Sequence, residues 1–217
     1  MNAIAEKTVT NGRGGLPLLV AVAALAVGAW IGLNQFTETS SAAPQSLTSG
    51  TRLPAPKPLT PFQLTAHDGK PFDLQRLTGD WTFLAIGYTH CPDICPTTLG
   101  TFDAIRHQLE AGEADFVFVS VDPERDSPAK LAEYVPYFNP EFLGATGSHS
   151  ELRKLTGQLG LLYRHTEAAD SGMGYVVDHS AAIMLIDPQG RLSAIFSAPH
   201  DPAAMTRDYT LLKEETL

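Results

Sequence analysis

Hydrophobic positions in this chain fall into short runs whose spacing changes from one segment to the next. The first, Leu16 to Leu33 (LPLLVAVAALAVGAWIGL), is eighteen residues without a charge. It sits at the short end for a membrane-spanning helix and exceeds the apolar core of a usual signal peptide. Over residues 34–60 the pattern disappears. Ser, Thr, Ala and Pro dominate there, with Pro44, Pro54, Pro56 and Pro58, which predicts a flexible linker. Patterning resumes near Pro61. Trp81 to Gly87 (WTFLAIG) and Phe116 to Val121 (FVFVSV) are near-continuous apolar runs of strand length, as strands buried on both faces would be. Between them, Leu99, Phe102, Ile105 and Leu109 line one side of a helix over Pro96 to Leu109. Strand, helix and strand in that order imply parallel pairing through a right-handed crossover.

Punctuation residues extend this plan. His67-Asp68-Gly69 separates two short β-prone runs and predicts a hairpin. Ser127 before Pro128 fits a helix N-cap with proline at the first helical position. Ser148 and Glu151 have capping-box spacing, and Gly160 can end that helix. Ala182 to Ile186 and Leu192 to Phe196 flank an Asp-Pro-Gln-Gly turn, and Asp201-Pro202 can open a last helix. The predicted fold is therefore α/β, a thioredoxin-like sandwich with a mixed sheet and helices on both faces, over residues 61–217.

Charge sets the expected topology. Lys7 and Arg13 precede the apolar run, and no further basic residue occurs before Arg52. The positive-inside rule then leaves residues 1–15 in the cytoplasm, uses 16–33 as a transmembrane anchor and exports the rest. Trp30 suits the membrane interface. The expectation is a single-pass protein of the inner (cytoplasmic) membrane, with its C-terminal domain in the periplasm or an equivalent compartment. A cleaved signal peptide is the rival, with Ser40 to Ala43 as small residues for a cleavage site. Glu6 and Glu38 offset Lys7 and Arg13 within residues 1–43, so residues 44–217 hold the entire net charge of −9. Such a surface gives nucleic acid no basic stripe to bind.

The only two cysteines, Cys91 and Cys95, stand in Tyr88-Thr-His-Cys-Pro-Asp-Ile-Cys-Pro96, directly after a buried strand and at a helix entrance. A bond between residues four apart closes almost no loop, so their value is mainly chemical. The helix N-terminus favours thiolate, and i, i+4 spacing puts both sulfurs on one helical face. Redox chemistry, metal binding and a plain structural pair all fit this motif. Structural zinc normally takes four ligands, and no second cysteine pair exists. Of the seven histidines, His67, His107, His149, His165 and His200 have simple readings in turns, exposed helix positions or polar loops. His90 adjoins the motif, but its side chain points away from its neighbour's. His179 precedes a predicted core strand whose entrance faces the dithiol, which makes it a ligand, a base or a satisfied structural histidine. Two thiolates and one imidazole form a soft three-coordinate set that suits Cu(I), and Cu(II) fits with a water or carboxylate added. Asp178 is a candidate supporting acid beside it.

Several blocks in order carry a resemblance. They are Gly87-Tyr-Thr-His-Cys-Pro-Asp-Ile-Cys-Pro-Thr-Thr-Leu99, Val121-Asp-Pro-Glu-Arg-Asp126, Phe142-Leu-Gly-Ala-Thr-Gly147, and Val177-Asp-His-Ser180 leading to Leu185-Ile-Asp-Pro188. From about Leu59 to about Phe196 the chain resembles the Sco/SenC family of copper chaperones. The resemblance implies a membrane-tethered thioredoxin-like domain that binds copper through Cys91, Cys95 and His179. It also implies a role in assembling the dinuclear copper centre of cytochrome c oxidase subunit II, with a periplasmic copper donor upstream. Some members look more like thiol–disulfide reductases that keep the target's cysteines reduced, here through Cys91 and Cys95. Thioredoxin-type oxidoreductases place a cis-proline opposite the dithiol, and Val176 to Ile186 contains no proline. That favours a metallochaperone over an enzyme, with a peroxidase as a distant third reading. The Val121 to Asp126 block reads more simply as a loop that sets the fold than as a partner contact.

Overall fold

Strand β4 (Trp81–Gly87) is buried at every position, as its unbroken apolar run requires, and the rest of the domain is arranged around it. The protein is described by a computed structural model over residues 24–25, 27–30, 46–167 and 174–216. In chain order, β1 (Gly50–Pro58), β2 (Gln63–Ala66) and β3 (Pro71–Asp73) precede β4. Helix α1 (Ile94–Arg106), β5 (Ala114–Ser120), α2 (Pro128–Tyr134), β6 (Leu143–Thr146) and α3 (His149–Leu159) follow. The last elements are β7 (Tyr163–Glu167), β8 (Tyr175–His179), β9 (Ile183–Ile186), β10 (Arg191–Phe196) and α4 (Pro202–Glu214). Eight strands form one sheet in the order β1-β10-β9-β4-β5-β6-β2-β3, and β7 and β8 form a separate two-stranded sheet.

The sheet is mixed. β4, β5 and β6 run parallel, with register unbroken from Trp81↔Ala114 to Gly87↔Ser120, and β9 joins β4 antiparallel. Alternation along β4 and β5 puts Phe83, Phe116 and Phe118 on one face. Phe102 of α1 lies 5.4 Å from Phe116, Tyr209 of α4 lies 5.5 Å from Phe83, and Tyr134 of α2 lies 6.0 Å from Phe118. Three helices thus cover that face. The opposite set, Leu84, Ile86, Val117 and Val119, is buried as well. The expected caps are present. Ser127 accepts from the Lys130 amide, Ser148 from the Glu151 amide and Asp201 from Ala203 and Ala204, while Gly160 closes α3 at φ 72°. Glu151 does not complete a capping box, because its carboxylate accepts from the Gln63 amide instead.

The linker expected over 34–60 ends early. Gly50–Pro58 is strand β1, paired with β10 from Gly50↔Phe196 to Pro58↔Arg191 with a register shift between Arg52 and Lys57. An edge strand with one side free tolerates Pro54 and Pro56, and its exposure removes the hydrophobic period by which sequence reveals strands. Its start is pinned by the buried carboxylate of Asp208, which accepts from the amides of Thr48, Ser49 and Gly50 at 2.7, 2.7 and 2.8 Å. The chain divides into compact units at residues 1–45 and 46–217. In the first unit, residues 24–25 and 27–30 are helical. Segment 1–15 and most of the anchor expected over 16–33 lie outside the described residues, among which no helix is long and apolar enough to cross a membrane.

Candidate metal centre

Cys91 lies in the turn between the C-terminal edge of β4 and α1, and Cys95 in the first turn of α1, where parallel α/β sheets expose their binding edge. Both are free thiols and both are buried. Two features hold the turn. Gly87 ends β4 with no side chain, and a Cβ there would lie 2.7 Å from Cys95 Sγ and 2.6 Å from the Phe118 ring. Fully buried Asp126 accepts from the Thr89 amide at 2.8 Å, the Thr89 hydroxyl at 2.6 Å and the Ser120 hydroxyl at 2.6 Å. The close approach at Gly87 makes a prediction. Gly87→Ala overpacks the site, costs about 1–3 kcal/mol and displaces the Cys95 sulfur. The melting temperature should fall by roughly 2–10 °C, with weaker metal retention, whereas Gly100→Ala, where a Cβ meets open space, should do neither.

His179 arrives on a different arm. It ends β8, opposite Tyr163 of β7, in the hairpin that stands apart from the main sheet. Its Nδ1 donates to the Ser180 carbonyl at 3.0 Å, and its Nε2 lies 3.3 Å from Cys95 Sγ. With one ring nitrogen tied to a carbonyl, the other is left with a lone pair aimed at the sulfurs. The Tyr88 ring meets the imidazole edge-on at 6.0 Å. Further support comes from the loop after β5. Tyr175 donates to buried Asp122 at 2.6 Å, and Arg125 pairs with Asp122, donates to the Tyr175 carbonyl at 3.1 Å and stacks 3.8 Å from the Tyr175 ring. One short loop therefore positions both arms, Asp126 the cysteine turn and Asp122 with Arg125 the hairpin.

The three donor atoms of Cys91, Cys95 and His179 all lie within 4.8 Å of one another. The thiols share one proton unequally. Cys91 is held as thiolate chiefly by the Cys95 S–H, with the amides of Asp93 and Cys95 adding to it, which outweighs burial and pulls its pKa down to about 3. Cys95 faces that thiolate from a deeper position, is pushed up and keeps its proton. Beside His179, a groove of about 520 Å³ lined by Leu162, Tyr163, Arg164, Asp178 and Ser180 opens to solvent. Two sulfurs and one imidazole nitrogen with an open side match a soft ion of low coordination number better than a closed four-ligand zinc site.

Two sequence expectations fare differently. His90 turns away from the sulfurs, to Thr89 Oγ1 at 3.1 Å and toward Asp126. Asp178, the candidate supporting acid, does not support the imidazole. Alternation along β8 turns it to the exposed face, where it accepts from Thr166 at 2.8 Å and Arg164 at 3.2 Å, and the Ser180 carbonyl takes the Nδ1 proton instead. Asp122, Arg125 and Asp126 belong to the Val121 to Asp126 block that the sequence marks as a loop setting the fold, and the structure adds which arm of the site each of them holds.

A model of the SCO1/SenC family matches residues 51–213. An SCO2-like protein of Rickettsia conorii is 34% identical over 146 residues, covering 66% of this chain and 71% of that protein. The mitochondrial SCO1 homolog 1 of Arabidopsis thaliana is 39% identical over 149 residues, 67% of this chain and 44% of that one. Among solved structures, Arabidopsis thaliana ScoI with copper bound aligns at a TM-score of 0.65 and 36% identity, over 73% of this chain and 98% of that chain. Bradyrhizobium japonicum ScoI with copper bound aligns at 0.64 and 34%, over 70% and 98%.

Proposed function

The chain belongs to the SCO1/SenC family, and on that footing we propose that it is a metallochaperone that takes up copper on Cys91, Cys95 and His179 and passes it to a copper-containing oxidase. The observation that carries the reading is the convergence of the three donors from two separate arms, with the imidazole lone pair directed at Cys95 and its other nitrogen tied back. The Cys91 thiolate gives an arriving Cu(I) its first donor, Cys95 loses its proton as the second sulfur binds, and His179 completes a three-coordinate shell. The groove beside His179 leaves room for an acceptor's ligand to enter before the last donor departs.

The finer reading follows the family. The recipient is the dinuclear copper centre of cytochrome c oxidase subunit II, and a donor in the same compartment supplies the ion. The apolar segment 16–33 anchors the domain outside the cytoplasm, a reading supported by Lys7 and Arg13 on its near side. Anaerobic Cu(I) titration of the full chain tests the core of the proposal. One ion per chain with a thiolate-to-copper charge-transfer band is expected, and uptake unchanged when both cysteines are replaced by serine would refute it.

A second reading is favoured by the polarised thiol pair. Cys91 thiolate can attack a target disulfide to form a mixed disulfide, and Cys95, giving up its proton, then displaces the target's thiolate and closes a Cys91–Cys95 bond. The target gains two electrons and becomes a dithiol. Such reduction precedes metallation and needs no imidazole ligand, so its rate should survive loss of His179.

A further inference from the structure

A second set of ligand atoms converges away from the cysteines. Glu124 from the loop after β5, His149 from the first turn of α3 and His165 from β7 bring one donor atom each within 4.8 Å of one another. His149 Nε2 lies 2.8 Å from a Glu124 carboxylate oxygen, and the His149 and His165 rings meet edge-on at 5.4 Å. The Tyr163 hydroxyl sits 3.2 Å from His149 Nδ1, able to accept a hydrogen bond from the Nδ1–H when Nε2 turns to a metal. The cluster borders a cavity of about 400 Å³ that Glu167 and Tyr175 also line, which leaves space for water to complete a coordination shell.

An ordinary surface ion pair accounts for Glu124 and His149 alone. It does not account for a second imidazole brought in on a third element, within reach of the same point and backed by the buried carboxylate of Asp122 at 3.8 Å. We propose that Glu124, His149 and His165 bind a divalent transition-metal ion, Zn(II) or Cu(II). Two imidazoles and a carboxylate are borderline and hard donors, which fit these ions and discriminate against the Cu(I) suited to the thiolate site. The ion would tie β7 to α3 and to the loop after β5. Because β7 pairs with the strand that ends in His179, it would brace the arm that presents that histidine.

The test uses the full chain carrying C91S and C95S, so that thiolate binding is removed. Zn(II) competition against a chromophoric chelator should give one ion per chain. Cu(II) should give a paramagnetic resonance spectrum with coupling to two imidazole nitrogens. H165A, at a partly exposed position, should lower affinity about tenfold or more and remove one nitrogen coupling. E124Q, which keeps the side chain's size, should weaken binding without changing the nitrogen count. No stoichiometric uptake, or uptake unaltered in the H149A/H165A double variant, would overturn the assignment, and neither result bears on copper at the cysteines.

Discussion

His179→Ala leaves the domain folded while copper retention falls by a hundredfold or more. Loss of a group that merely orients a metal ligand typically costs about 10–100-fold in affinity, and His179 supplies a donor atom itself, so its removal should reach or exceed the upper end of that range. Stability should hardly move. The side chain is only half-buried at the end of a hairpin, and the neighbours it abandons are the Cys95 sulfur and one carbonyl. Competition with a Cu(I) chelator, paired with a thermal melt, separates the two effects. Unchanged affinity would remove His179 from the ligand set. A lowered affinity with an unchanged rate of disulfide reduction would show that transfer and reduction share the sulfurs but not the imidazole.

Asp126→Ala should do what His179→Ala does not, and damage fold and site together. Its carboxylate is fully buried and accepts three hydrogen bonds, two from Thr89 and one from Ser120. Removing the acceptor leaves the Thr89 amide and two hydroxyls without their partner, and each buried orphan costs about 1–3 kcal/mol, partly relieved where a hydroxyl can rotate. A net loss of about 3 kcal/mol lowers the melting temperature of a domain this size by roughly 6–12 °C. Thr89 lies two residues before Cys91, so the freed turn should also lower copper affinity by about tenfold or more. Asp126→Asn retains the shape and one oxygen and should fall between the two. A melting curve for Asp126→Ala within a degree or two of the parent would mean that the turn is held by something else.

These two residues also mark what the sequence could convey. The β4-α1-β5 core was legible because a strand buried on both faces must be apolar throughout and a covering helix must repeat its apolar residues. Ser127, Ser148, Gly160 and Asp201 mark helix ends through local hydrogen bonding or backbone geometry, which needs no knowledge of the fold. Strand β6, reading Leu-Gly-Ala-Thr, has too little apolar weight to stand out. Strands β1 and β7 are largely exposed, so burial imposed no pattern on either. In the site, chemistry picked out Cys91, Cys95 and His179, while the Val121 to Asp126 block read as a fold-setting loop without showing which of its residues holds which arm. Asp126 acts through a fold that brings it to a loop 37 positions earlier in the chain. His149 and His165 looked ordinary one at a time, and their convergence exists only once α3 and β7 are packed side by side.

The central claim is that one copper ion is held by two sulfurs and one imidazole nitrogen drawn from separate arms. X-ray absorption at the copper edge of the full chain, loaded anaerobically with one equivalent of Cu(I), examines that coordination shell directly. The expected result is two sulfur scatterers and one imidazole nitrogen, with the nitrogen lost in His179→Ala. A shell of sulfur alone in the parent protein, or of nitrogen and oxygen alone, would contradict it.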